Sequence, residues 1–181
     1  MKEYKLGEEA ARKALDWEYD DTINKWLNIF YYINCCDFDN KKIRISDHHK
    51  TICFVSPGGW KEWDGETLRT DGLGGSENFT IRYTEYLVEL GYNVLVFCKC
   101  KAEKKYKGVV YAPDKLFTQF VSKYIIDICI INRFSEFIPV SCMNEIKTYF
   151  VLHDIVNTND IIPLFPNLVN ILCISEWHKQ Q

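Results

Sequence analysis

From Thr51 onward the chain repeats one pattern: a short, almost purely apolar run, a loop or amphipathic segment, then another apolar run. The runs are Thr51-Ile52-Cys53-Phe54-Val55, Asn93 to Phe97, Gly108 to Tyr111, Asp127 to Ile131, Lys147 to Leu152 and Asn170 to Ile174. Runs of this length without polar alternation predict strands covered on both faces, as in a parallel sheet with crossover helices. Ser76 to Leu90 carries apolar residues at helical spacing (Phe79, Ile81, Tyr83, Leu87, Val88, Leu90), and Gly91 follows as a stop signal. Pro113 to Tyr124 reads as a second helix, with the proline at a tolerated first-turn position. The predicted fold is α/β: a Rossmann-like parallel sheet with helices on both faces.

Residues 1–45 follow a different rule. Leu6, Ala10, Ala14 and Trp17 mark one helical face; Ile23, Trp26, Leu27, Phe30 and Ile33 mark another after the acidic break at Tyr19-Asp20-Asp21-Thr22. Asp21 or Thr22 suits the N-cap of the second helix. The segment Gly7 to Leu15 resembles the second helix of a tetratricopeptide repeat, so this region is expected to be a tetratricopeptide-like helical hairpin. One such unit cannot bury its own apolar face, so it docks on the remainder or belongs to a longer array. Cys36 to Lys50 is polar and reads as a linker, with a short edge strand at Ile43-Arg44-Ile45. Asp37-Phe38-Asp39 has the form of a metal-binding D-x-D, but it trails a helix instead of closing a strand, and it reads as solvated linker. His48-His49 reads the same way. The expected division is 1–45 for hairpin and linker and 46–181 for the α/β domain.

Composition narrows the function. Hydrophobic residues make up 47% of the 181 and charged residues 26%, which suits a folded soluble domain. A formal net charge of -3 argues against a nucleic-acid partner. No apolar run approaches the roughly 20 residues of a membrane span, and Met1-Lys2-Glu3-Tyr4-Lys5 has no apolar leader. Of the eight cysteines, Cys53, Cys98, Cys129 and Cys173 sit in or beside apolar runs, where a reduced thiol behaves as a small hydrophobe. With no C-x-x-C pair, and only a lone Cys98-Lys99-Cys100, the expectation is a cytoplasmic protein without a metal.

Asp71-Gly72-Leu73-Gly74-Gly75-Ser76-Glu77 lies between the first strand and the first long helix. Glycines let a ligand approach the backbone, and a helix start offers unpaired N–H groups and the positive end of a dipole. Two readings stay open on these residues alone: phosphate binding, or a glycine-rich loop before a capped helix. It is not a dinucleotide fingerprint, because the loop is long, Glu77 stands at the third glycine position, and the second strand ends in Phe97-Cys98-Lys99. Nor is it a P-loop, since no Gly-Lys-Ser/Thr follows.

The ordered set Phe54-Val55-Ser56-Pro57, Gly72-Leu73-Gly74-Gly75-Ser76-Glu77, and Leu87-x-x-x-Gly91-Tyr92-x-Val94 resembles the N-terminal half of the retaining family-4 glycosyltransferases of GT-B fold. Tyr92 stands where that family commonly has histidine. Phe150-Val151-Leu152-His153-Asp154 resembles the family's His-Asp after the fifth strand, and Ile174-Ser175-Glu176-Trp177 the segment before the interdomain crossing. The resemblance spans about Ile52 to Gln181.

The resemblance implies transfer of a sugar, with retention, from a UDP- or GDP-linked donor to a carbohydrate or glycoconjugate acceptor. It implies donor phosphate and sugar binding at Gly74, Gly75 and Ser76, catalytic roles for His153 and Asp154, and no metal cofactor. Independently, ligands of open parallel sheets bind beyond the carboxyl ends of the strands, and Gly58-Gly59, Asn132-Arg133, His153-Asp154 and Ser175 all follow predicted strand ends. Asn132 and Arg133 are candidates for acceptor binding, as either a hydroxyl reader and an anion partner or a strand end and a surface ion pair. Trp60 and Trp63, in the long segment Gly59 to Asp71, either stack on acceptor sugars or pack on the domain. Asp154 orients His153 or caps the next segment. A second Rossmann domain carrying paired glutamates is expected to complete the enzyme, and these 181 residues alone are expected to have little or no transferase activity. The alternatives are a non-catalytic protein-interaction module or another nucleotide- or phosphosugar-binding α/β domain.

Overall fold

A computed structural model describes residues 42–154 and 168–180. The chain divides into two units between Asp37 and Phe38, and every described residue belongs to the second. The expected helical hairpin, Cys35-Cys36 and Asp37-Phe38-Asp39 lie outside the described residues.

The strands are β1 (Ile43–Arg44), β2 (Thr51–Ser56), β3 (Asn93–Cys98), β4 (Lys104–Tyr106), β5 (Val109–Pro113), β6 (Tyr124–Ile125), β7 (Ile128–Asn132), β8 (Lys147–Leu152) and β9 (Asn170–Cys173). The helices are α1 (Thr67–Thr70), α2 (Gly75–Glu89), α3 (Phe117–Lys123), α4 (Ile138–Met143) and α5 (Glu176–Lys179). Seven strands form one sheet in the order β4-β5-β3-β2-β7-β8-β9, parallel throughout except for the β4–β5 pair. Counted in chain order, the six parallel strands stand 3-2-1-4-5-6, the order of a doubly wound, Rossmann-like sheet. The order reverses between β2 and β7, and there the sheet has its topological switch point. β1 and β6 form a separate parallel pair.

Each predicted strand forms, with its ends at most two residues from those expected. β2 is buried at all six positions because it pairs with β3 on one side and β7 on the other while both of its faces are covered. Ile52 and Phe54 point to one face, where Ile81 and Leu87 of α2 meet them with Val94 and Val96. Cys53 and Val55 point to the other, where Phe117 and Val121 of α3 and Ile138 and Val140 of α4 pack with Phe97 and Ile131. Each fully buried aliphatic or aromatic side chain there contributes about 1.5–3 kcal/mol. Helices therefore cover both faces, as expected.

α2 ends as its sequence says. Gly91 has φ +87°, the Gly91 N–H donates to the Val88 carbonyl at 2.9 Å, and the Tyr92 N–H to the Leu87 carbonyl at 3.1 Å. These two bonds satisfy the last helical carbonyls, and only glycine takes the left-handed turn without a Cβ penalty.

Pro113 differs from expectation. It is the last residue of β5, opposite Cys98, and the segment continues as a short 3-10 turn before α3. Proline is tolerated there because β4 has already run out at Tyr111, so no neighbour needs the missing N–H. β4, β6, α1, α4 and α5 are additions to the sequence reading, and Tyr124, expected to end the second helix, opens β6. Lys107 (φ +45°) and Gly108 (φ +83°) form the two-residue turn of the β4–β5 hairpin. Among the described residues, no helix is long and apolar enough to cross a membrane.

Candidate functional site

The carboxyl ends of β2, β7 and β8 open on one rim of the sheet, and the N-terminus of α2 sits above it. A buried polar knot joins three of these elements. The Asn132 side-chain amide donates to Ser56 Oγ and to Thr80 Oγ1, each at 3.2 Å, and Thr80 Oγ1 donates to the Ser76 carbonyl at 2.9 Å. Asn132 and Thr80 are fully buried and Ser56 nearly so. Buried polar groups need such partners, and the knot fixes the first turn of α2 against the switch point. Asn132 thus acts inside the domain and does not present a group at its surface. The sequence reading missed Ser56 and Thr80; the available signal was two small hydroxyls at positions where strand and helix turn inward.

Arg133 leaves the sheet in a left-handed conformation, φ +72°, which costs a non-glycine residue about 1–2 kcal/mol. Its N–H donates to the Val151 carbonyl at 3.2 Å, Nη1 donates to Ser76 Oγ at 3.3 Å, and Nε pairs with Asp154 Oδ2 at 2.6 Å. The guanidinium also lies over the Phe134 ring. This backbone turn swings the cation from the end of β7 to the start of α2. Ser76, Arg133 and Asp154, read from separate stretches of sequence, are therefore brought together. Asp154 pairs with Arg133. His153 packs edge-on against Phe79 of α2, ring centroids 5.2 Å apart, which sets the imidazole beside the opening turns of that helix.

At the helix start, Gly74 is the N-cap residue and Gly75 the first helical one. The Asn78 amide donates back to the Leu73 and Gly74 carbonyls at 3.1 and 3.2 Å, so the Asn78-Phe79-Thr80 triplet is built into the helix entry. Glu77 is 3% exposed and folds back over Gly74, so that a Cβ there would push its carboxylate aside; Ser76 Oγ donates to that carboxylate at 3.2 Å. An acid in the first turn interacts favourably with the helix dipole. Glu77 was not read as a site residue, although its place three residues after the cap is the position of a capping-box acid. Gly75 is different: a Cβ added there meets nothing within 4 Å.

Residues 57–71 form an ordered strap beside the helix start. The Trp63 indole N–H donates to the Gly58 carbonyl at 2.7 Å, the Trp63 N–H to the Lys99 carbonyl at 2.9 Å, and Lys99 Nζ to the Gly59 carbonyl at 3.2 Å. Trp63 is 2% exposed and meets Tyr111 edge-on, so its ring is core and offers no free face. Trp60 is 98% exposed. Lys61 pairs with Asp71 across the strap, and the Lys61 ammonium holds the Asp71 carboxyl below the usual range. The strap and the Gly72–Gly74 loop enclose a cavity of about 20 Å³ with Glu77 in its wall, room for about one water.

His48 and His49 are exposed, as expected of a linker. Among the described residues there is no group of three or more His, Cys, Asp or Glu that could hold a metal ion. In comparisons with protein-family models, curated proteins and solved structures, nothing matches this chain.

Proposed function

We propose that this domain is one wall of the cleft of a nucleotide-sugar-dependent, retaining glycosyltransferase of GT-B type. The observation that carries the reading is the meeting of Arg133, strained into a left-handed turn at the switch point, with Ser76 at the glycine-bounded start of α2. Strained residues persist where the surrounding structure demands them, and they cluster at working sites. Amides of the first helical turn point at the rim, so a donor diphosphate would lie against Gly74, Gly75 and Ser76 with Arg133 as its counter-ion. To reach it, the guanidinium exchanges the Asp154 carboxylate for phosphate, and the Glu77 carboxylate leaves its place over Gly74 and its bond from Ser76 Oγ. During transfer the bond from the sugar's anomeric carbon to the leaving diphosphate breaks, the acceptor oxygen bonds that carbon on the same face, and the acceptor's proton passes to the departing diphosphate. The growing charge on the leaving group is met by fixed dipoles and a cation. In this reading His153 hydrogen-bonds the donor sugar, Asp154 holds Arg133 until the donor arrives, and Trp60 offers an exposed ring to the acceptor. A second Rossmann domain supplies the opposite wall and the nucleotide grip.

Amide-resolved NMR titration of the chain with inorganic pyrophosphate, UDP and GDP tests the reading. Shifts concentrated at residues 72–77 and at Arg133 are expected. Gly75→Ala should fold as well as the parent or gain up to about 1 kcal/mol, since the added methyl meets no neighbour, yet it should lose those shifts. Unchanged binding in Gly75→Ala, or shifts scattered away from the helix start, rejects the proposal. Pyrophosphate binding without a nucleotide preference would favour a general phosphosugar binder.

A further inference from the structure

Cys98-Lys99-Cys100 plays no part in that site. Cys98 ends β3 and is fully buried, whereas Cys100 is partly exposed. The Cys100 N–H donates to the Cys98 carbonyl at 2.8 Å, which closes a three-residue γ-turn and draws the two residues together. Both side chains also belong to one packed cluster. Beside the Cys98 thiol the Cys100 pKa is lowered, while its neighbour Cys100, with burial behind it, pushes the Cys98 thiol well up. A partly exposed, thiolate-prone sulfur beside a protonated one is the arrangement from which thiol–disulfide exchange starts. Cys53 and Cys129 also face each other, across β2 and β7, but both are fully buried.

The pair sits where the strap is fastened. The Cys98 thiol donates to the Trp63 carbonyl at 3.3 Å, beside the Trp63 N–H bond to Lys99. We propose that Cys98 and Cys100 are a reversible dithiol–disulfide pair, and that their oxidation by a low-molecular-weight disulfide unfastens the Trp63 end of the strap. The Cys100 thiolate attacks one sulfur of the reagent, forming a mixed disulfide and expelling one thiolate. Cys98 sulfur then attacks Cys100 sulfur, breaking that mixed bond and expelling the second. The two cysteine protons end on the two released thiols, so the cysteines lose two electrons and the reagent gains two. The Trp63 carbonyl loses its S–H donor, because the Cys98 proton is gone.

The chain treated with oxidised glutathione provides the test. Trypsin cuts after Lys99, so a Cys98–Cys100 disulfide is expected to leave the two flanking peptides joined until a reductant is added. Loss of one hydrogen bond should raise amide exchange around Trp63 by about tenfold. Cys100→Ser should show neither change, and Cys98→Ala, lacking the S–H donor, should exchange fast at Trp63 without oxidant. Glutathione left on Cys100 as a mixed disulfide, or a disulfide with Trp63 exchange unaltered, overturns the proposal.

Discussion

Arg133 shows how backbone and side chain divide the work at a single residue. Its φ of +72° is a penalty carried by the Cβ, while its guanidinium contacts Ser76 and Asp154. The two effects separate on substitution. Arg133→Ala loses the cation and keeps the penalty; Arg133→Gly loses the cation and removes it. The glycine variant should therefore be more stable than the alanine variant by about 1 kcal/mol, read as a higher urea midpoint at equal slope, and both should lose pyrophosphate binding. Equal midpoints would mean that the left-handed turn costs nothing here. The sequence marked Arg133 as a strand-end residue, and periodicity gives that much. It could not show the turn, because φ is imposed by the Asn132 knot and by the Val151 carbonyl, partners distant in the chain. Trp60 and Trp63 make the same point: three residues apart and alike in type, they are 98% and 2% exposed because only Trp63 finds carbonyls and an amide bond to close on.

The strap and the β4–β5 hairpin are held partly by charge. Lys61 lowers the Asp71 carboxyl, and Glu66, followed by Asp64, raises the Lys104 ammonium. A lowered carboxyl stabilises the fold above its unfolded value, about pH 4, and that contribution is lost as pH falls through the folded value. A raised ammonium acts in the opposite sense: its contribution is complete below the unfolded value and is lost as pH rises through the folded one. Protection factors of strap amides should therefore step down on acidification. Asp71→Asn should remove the step that belongs to Lys61–Asp71 and match the parent chain at the acid end; an unchanged step in Asp71→Asn would detach that pair from the strap's order. Elements with an apolar pattern were legible: all six parallel strands and α2 with its glycine stop. β4 was not, because Lys104-Lys105-Tyr106 has no hydrophobic alternation; it is a strand by virtue of its turn at Lys107-Gly108 and its pairing with Val109–Tyr111.

At the scale of the molecule, the sheet separates what holds the fold from what the rim can do. Both faces of β2 and β3 are packed, and on the α3 side Phe97 meets Phe117 and Phe120 edge-on at 5.4 and 5.3 Å. Interiors of this kind relax little around a lost ring, so Phe97→Ala should cost about 3–5 kcal/mol. Against a total of about 5–15 kcal/mol for an ordinary domain, that leaves the chain near or past its unfolding threshold. Trp60 lies at the other extreme. Its ring is solvated on every side and takes no part in either packed cluster, so Trp60→Ala should alter stability by no more than about 0.5 kcal/mol. If the ring serves acceptor sugars, the loss of its face should still weaken binding of an oligosaccharide panel by about 0.5–1.5 kcal/mol, the range of a ring contact. Thermal unfolding and glycan-array binding on the same two variants separate the cases. A large drop in melting temperature for Trp60→Ala would show the ring to be part of the core in solution. An unmoved melting temperature with glycan binding equally unmoved would remove Trp60 from the acceptor site and leave the start of α2 with Arg133 as the working part of the rim.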